Sequence, residues 1–245
     1  MIKYHGTPCG GRREDVARFL AGRHAMVPFE HDKNDAEDVC TAAEVCDNFV
    51  VDNGAFSAWR SGRPVTDWTA YYAFVEEWRR HQAFEWAVIP DVIDGDETAN
   101  DDLLAEWPFE ECGVPVWHLH ETFDRLERLV AAYPRVALGS SGEFADPGTR
   151  AWWGRMAEAM AVIVDERHRP RAKLHGLRML DPAIFHRLPL SSADSTNAAM
   201  NGSRTAKRCG CNVLTGNVII AQRIEAHQSA SEWVETEKQR VLLWE

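Results

Sequence analysis

Residues 86–140 read WAVIPDVIDGDETANDDLLAEWPFEECGVPVWHLHETFDRLERLVAAYPRVALGS. Three short apolar runs rich in β-formers, at 86–91, 114–120 and 136–140, alternate with two longer stretches, 98–107 and 123–133, at helical spacing. This is the pattern of parallel βαβ units, because a parallel neighbour is reached only through a long crossover, usually a helix. The alternation continues outward in both directions. Strands are expected at 2–5, 24–29, 49–52, 173–179 and 190–194. Helices are expected at 13–21, 36–46, 66–80, 149–166, 182–187 and, longest, about 217–243. Asp146-Pro147 and Asp181-Pro182 read as helix starts, an acidic cap followed by a proline that the first turn tolerates. Eight strands in this order favour an α/β fold closed into a (β/α)8 TIM barrel over an open doubly wound sheet. Without a Pro/Gly/Ser-rich linker, a low-complexity tract or a strong repeat, residues 1–245 are expected to form a single barrel domain.

Composition narrows the function classes. A chain of 245 residues with 45% hydrophobic and 27% charged residues has the make-up of a globular protein with a substantial core, which excludes a disordered chain. Lys and Arg number 27 against 38 Asp and Glu, for a net charge of -11, so any nucleic-acid partner needs a local basic face. No apolar run approaches the roughly 20 residues that span a bilayer, and the opening MIKYHGTPCGGRR has no signal-peptide architecture. A cytoplasmic protein with no membrane partner is expected. The six cysteines (Cys9, Cys40, Cys46, Cys112, Cys209, Cys211) are scattered and are expected to be thiols.

In a barrel of this kind the chemistry gathers at the C-terminal ends of the strands. Asp52 ends the third strand and is followed by Asn53-Gly54-Ala55-Phe56-Ser57; Asp91 ends the fourth; Asp194 ends the eighth. A lone aspartate at a strand end serves as readily as a cap or turn former. Three of them around one rim suggest an active site. Alternation puts His118 and His120 of the fifth strand on one face. Leu138-Gly139-Ser140-Ser141-Gly142-Glu143 is a small-residue turn that lets a planar ligand approach the backbone. The seventh strand ends without an informative residue.

This ordered set resembles the tRNA-guanine transglycosylases. Asp52-Asn53-Gly54-Ala55-Phe56 is similar to their Asp-Ser-Gly-Gly-Phe segment, and Pro90-Asp91 falls where they carry a purine-reading aspartate. Residues 138–143 are similar to their Gly-Gly-Leu-Ala-Val-Gly-Glu turn, and His120 lies where they place a base-contacting glutamine. Thr196-Asn197-Ala198-Ala199-Met200-Asn201-Gly202 is similar to the Thr-Arg-Asn-Ala-Arg-Asn-Gly stretch that follows their nucleophilic aspartate. Tyr4-His5-Gly6-Thr7-Pro8 and the segment 52–57 resemble the phage and bacterial DNA deoxypurine protein A branch, which exchanges guanine in DNA for a 7-deazaguanine. The likeness covers roughly residues 45–220. Asn197 and Met200 replace both arginines of the pattern, which implies a different backbone contact, and Asp194 stands closer to Thr196 than the tRNA enzymes place it. Cys209-Gly210-Cys211 matches two positions of the family's zinc motif, but Leu214 stands at the third and His227 would have to be the fourth ligand. Cys209 and Cys211 are expected to be two buried or turn thiols, and no metal or other cofactor is expected.

The resemblance implies Asp194 as nucleophile at the anomeric carbon and Asp52 as proton shuttle. Asp91, His120, Gly139, Ser140, Phe56 and Asn53 become the base-binding set, with Asp91 reading the donor edge of guanine and Phe56 stacking on it. Arg204, Lys207 and Arg208, just beyond the nucleophile loop, are the expected DNA contacts, whereas the cluster at 167–173 reads as a solvated helix end. DNA, a 7-deazaguanine base and an auxiliary DNA-opening protein are the partners this implies. Two rivals stay open: a metal-dependent barrel hydrolase using His118 and His120, and an inactive barrel that binds a modified base or a partner.

Overall fold

The structure is a computed structural model and describes residues 1–7, 12–30 and 37–227. In chain order the elements are β1 (Ile2–Gly6), α1 (Arg13–Leu20), β2 (His24–Pro28), α2 (Glu37–Val45), β3 (Asn48–Asp52), α3 (Ala55–Arg60), α4 (Thr69–Trp78), β4 (Phe84–Val88) and α5 (Glu97–Glu106). There follow β5 (Gly113–Val114), β6 (Val116–His118), α6 (Phe123–Ala132), β7 (Arg135–Gly139), α7 (Arg150–Ile163), β8 (Lys173–Gly176), α8 (Pro182–Phe185), β9 (Ser192–Ser195), α9 (Asn197–Cys209) and α10 (Val213–Glu225).

All the strands run parallel in the order β5-β4-β3-β2-β1-β9-β8-β7-β6. β5 and β6 are two pieces of one strand separated by Pro115, which has no N–H to offer. One piece pairs with β4 and the other with β7, so the two ends of the sheet meet and the molecule is a (β/α)8 TIM barrel. The Pro115 carbonyl still accepts from Ala137 N at 2.9 Å, which carries the ladder across the break.

Strand parity decides what faces where. Tyr4, Met26, Val50, Trp86, Val88, Val114, Val116 and Ala137, all strand residues, pack on one another as the barrel interior. Their neighbours Ala25, Val27, Phe49, Val51, Ala87, Trp117, Val136 and Leu138 point outward into a larger core shared with the helices. The N-terminal end of the barrel is closed by polar groups. Glu85 receives the Tyr4 hydroxyl, Asn48 Nδ2 at 3.1 Å and Arg135 Nη2 at 2.8 Å. That leaves the C-terminal mouth as the open end.

Several expectations need correction. The helices α3 and α9 were not foreseen. The expected last helix begins earlier, at Val213, and is described only to Glu225; the rest of 217–243 is partly outside the described residues, as is Ala36 of the second helix. Asp181 caps α8 as expected, accepting from Ala183 N at 2.8 Å. Asp146 does not cap α7: Gly148 turns the chain at φ +86° and Thr149 takes the cap, accepting from Trp152 N at 3.3 Å. Among the described residues no helix is long and apolar enough to cross a membrane.

Candidate active site

The parity that buries Val50 also aims Asp52, two residues on, into the mouth of the barrel. The same rule brings Asp194 inward from β9, beside Tyr4 in register on β1. Asp91, just past β4, completes the set. All three carboxylates line a cavity of about 640 Å³ at the C-terminal mouth, together with Phe56, His118, Gly139, Ser140, Arg178, Arg60 and Met200. The expected residues Asp194, Asp52, Asp91, Asn53, Phe56, Gly139 and Ser140 therefore surround one space.

Each acid sits in a different environment. Asp52 is partly buried and its carboxyl is pushed up to about 7, first by that burial and then by the charges of Asp194 and Asp91; backbone N–H groups of Gly54 and Asn53 oppose the rise. Asp91 is buried and held on both oxygens. Asn53 Nδ2 donates to Oδ1 at 2.6 Å, and His118 Nε2 lies 2.7 Å from Oδ2. A carboxylate has about four acceptor sites, so Asp91 can still receive a ligand's N–H groups. Asp194 is also buried; its Oδ1 accepts from Arg178 N at 2.7 Å and faces His175 Nε2 at 3.4 Å. No protein hydrogen bond reaches its Oδ2 among the described residues.

The remaining expected residues divide. Asn53 is almost fully buried and uses its donors on Asp91 and the Ile89 carbonyl (2.9 Å), while its Oδ1 receives Ala55 N at 2.8 Å, so it positions Asp91 and starts α3. Ser140 Oγ accepts from Trp152 Nε1 at 2.9 Å, which ties the turn after β7 to α7. Gly139 passes close to His118: a Cβ there would stand 3.1 Å from Nδ1. Phe56 is not bare, since the Arg178 guanidinium lies 4.0 Å and that of Arg60 5.7 Å from its ring centroid.

His120 departs from expectation. β6 ends at His118, where Glu121 N bonds the His118 carbonyl at 2.9 Å, so alternation no longer governs residue 120. His120 is exposed, does not line the cavity, and places its ring nitrogens 2.7 Å from Ser141 Oγ and 3.1 Å from the Gly95 carbonyl. His118 takes the inward place. The two rings stack at 5.7 Å but serve separate partners, and among the described residues no three His, Cys, Asp or Glu side chains converge as a metal site. Cys209 and Cys211 are free thiols at the end of α9.

Beneath His118 lies a buried frame. Glu121 pairs with Arg125 at 2.7 Å, accepts from His118 N at 2.8 Å, and accepts from Asn100 Nδ2 at 2.8 Å. Asn100 Oδ1 in turn receives Val92 N at 2.7 Å. Through these bonds the loop carrying Asp91 and the end of β6 carrying His118 are fixed to each other.

Sequence reasoning missed His175, Arg178 and Arg60. His175 lies within β8 and points inward, edge-on to Trp86 at 4.8 Å between ring centroids, with Nδ1 2.9 Å from Ser192 Oγ. The signal for it was available, because His175 shares its parity with the interior side chains of the paired strand β7. Arg204, Lys207 and Arg208 are exposed on α9, whose first turns carry Met200 at the cavity edge. In the 167–173 segment, Arg169 pairs with Asp165 and Arg171 with Glu127.

No family model matches the sequence, and no curated protein does. Among solved structures the chain is similar to a mutant tryptophan synthase α-subunit from Pyrococcus furiosus, at 9% identity and a TM-score of 0.51 over 92% of this chain and 96% of that one. It is also similar to a chain of the tryptophan synthase α2β2 complex of the same organism, at 10% identity and a TM-score of 0.50, over 92% and 95%. At such identity the likeness is one of fold. Fold and site together define the class: a (β/α)8 barrel with a carboxylate-lined cavity at its C-terminal mouth.

Proposed function

We propose that this protein is an enzyme, a DNA-guanine transglycosylase that exchanges guanine in DNA for a 7-deazaguanine. The observation that carries the reading is Asp52, a carboxyl held near 7 beside two further carboxylates in one cavity. A group poised there can give and take a proton at neutral pH, which base exchange requires twice.

In this mechanism Asp194 Oδ2 attacks C1′ of a flipped-out deoxyguanosine, and the C1′–N9 bond breaks with its electron pair going to the base. The proton that neutralises the leaving guanine comes from Asp52. The incoming 7-deazaguanine then loses its N9 proton to Asp52, N9 forms the new bond to C1′, and Asp194 is released. Asp91 accepts from the ring N–H and exocyclic amine of either base, held for that by Asn53 and His118. Gly139 and Ser140 border the carbonyl edge. Exposed Arg204, Lys207 and Arg208 on α9 supply local positive charge for the DNA on an acidic protein, so binding weakens steeply with salt. An auxiliary protein that opens the duplex and a cytoplasmic setting belong to the same reading.

The test is incorporation of a radiolabelled 7-deazaguanine into DNA by the purified protein. Wild type is expected to incorporate label, and Asp194→Ala to lose it entirely while retaining the native circular dichroism spectrum. Exchange by the folded Asp194→Ala protein would remove Asp194 from the nucleophile role. Label-free DNA with wild type, on single-stranded as well as duplex substrate, would overturn the function.

A further inference from the structure

The cavity is polarised. Its floor carries Asp52, Asp91 and Asp194, while Arg60 and Arg178 stand exposed at its edge. Both guanidinium groups approach the Phe56 ring, and neither has a carboxylate within ion-pair distance among the described residues. Arg178 reaches one further acceptor, the Ser140 carbonyl, at 3.5 Å. A molecule that fills this space with its charge matched must present N–H donors at one end and an anionic group at the other.

The backbone of Arg178 adds an independent observation. Its φ is +58°, the left-handed region that disfavours any residue with a Cβ and that glycine would fill without cost. The same residue donates its N–H to Asp194 at 2.7 Å. A turn needing only that amide would be satisfied by glycine. Here the strained turn throws a long cationic side chain over Phe56 at the mouth, from the same residue whose backbone holds Asp194. Strain of this kind at a ligand cavity points to a use for the side chain. A guanidinium stacked on an aromatic face keeps its N–H fork free, and that fork matches the oxygens of a phosphate in paired hydrogen bonds. The first turn of α9, by contrast, offers Asn197 and Met200 and no cation.

We propose that Arg60 and Arg178 form a phosphate subsite at the mouth, which takes a backbone phosphate adjoining the base seated among the carboxylates. The unit the protein recognises is then a nucleotide and not a nucleoside. This inference rests on the base-exchange reading for the occupant of the floor, but not for the anion at the edge.

Isothermal titration calorimetry of the full chain separates the two. The probes are deoxyguanosine 3′,5′-bisphosphate, deoxyguanosine and inorganic phosphate, each against wild type, Arg178→Lys and the Arg60→Ala/Arg178→Ala double variant. Wild type is expected to bind the bisphosphate at least about tenfold more tightly than deoxyguanosine, the gain ordinary for charge-assisted bonds. Arg178→Lys keeps the charge but loses the fork and should lose most of that gain. The double variant should bind the two ligands within about threefold of each other. Equal affinities in wild type would overturn the subsite and leave the base-binding reading standing. A gain that survives in the double variant would also overturn it. Inorganic phosphate that binds wild type but not the double variant, with no binding of deoxyguanosine in any form, would uphold the subsite and count against guanine exchange. No binding of any probe overturns the subsite.

Discussion

His175 lies directly beneath Asp194, its Nε2 3.4 Å from the carboxylate Oδ1, in the fully buried interior of the barrel. Its other nitrogen faces Ser192 Oγ at 2.9 Å. If the Ser192 hydroxyl donates to Nδ1, the ring proton resides on Nε2 and faces the carboxylate that the proposed chemistry needs ionised. Burial, the largest influence, holds the imidazole below its ordinary pKa of 6.5, against the opposing pull of Asp194. The candidate nucleophile is thus backed by an imidazole that its burial holds neutral.

His175→Phe keeps a ring against Tyr4 and Trp86 and removes both nitrogens. It should destabilise the protein at pH 7.5 by about 1–3 kcal/mol, because the Ser192 hydroxyl loses its partner in a dry site. The gap to wild type should then narrow in acid. The folded pKa of His175 is below the unfolded one, so between those values the unfolded chain binds the extra proton, and wild-type stability contributed by His175 is complete above 6.5 and lost as pH falls below it. Phenylalanine titrates nothing. Urea denaturation from pH 7.5 to 5 checks this, and a gap that holds constant or widens refutes it.

Asp52 shifts the other way, and its prediction concerns rate as well as stability. With a folded pKa of about 7 against an ordinary 3.8, the folded protein holds a proton that the unfolded chain has released, so this contribution is present below 3.8 and is lost as pH rises through 7. Asp52→Asn should therefore be more stable than wild type at pH 8, by about 1–3 kcal/mol, and lose that advantage by pH 5. Guanine release in single turnover should fall tenfold per pH unit above 7 in wild type. In the variant it should be flat and about 10²–10⁴ lower. Stopped-time assays across pH 5–9 measure both, and an unchanged alkaline limb in Asp52→Asn would assign the titration elsewhere.

Much of this site was legible because strand parity is a short-range rule. Asp52 follows Val50 by two residues and Asp194 follows Ser192 by two, so inward placement of one member fixes the other. The rule failed where the strand stopped. His120 obeys parity on paper, yet β6 ends at His118 because Glu121, anchored by Arg125 from the following helix, folds the chain back on the His118 backbone. Glu121 and Arg125 are four residues apart, but nothing in their identity announces a buried pair that terminates a strand. Arg178 was invisible for another reason: its left-handed φ is a property of the turn, and arginine is not a residue that sequence reading associates with one. α9 was missed because Asn197, Asn201, Gly202 and Ser203 are weak helix formers. Its formation depends on packing against α10, which only the tertiary structure supplies.

That packing yields the clearest stability test. Gly202 of α9 meets α10 so closely that a Cβ would stand 1.4 Å from an Asn217 side-chain atom, and Gly216 opposite would place one 2.2 Å from the Gly202 carbonyl. The helices touch backbone to side chain without room for a methyl group. Gly202→Ala must push α10 outward or displace the buried Asn217, at a cost of about 1–3 kcal/mol or more. Gly154 in exposed mid-α7 is the control, since a Cβ there meets nothing within 4 Å. Gly154→Ala should stabilise by about 0.5–1 kcal/mol through helix propensity and the reduced entropy of the unfolded chain. Denaturant midpoints at constant m-value should therefore move in opposite directions for the same chemical change. Because Met200 at the cavity edge rides on the first turns of α9, Gly202→Ala should also weaken exchange, whereas Gly154→Ala should leave it at the wild-type rate.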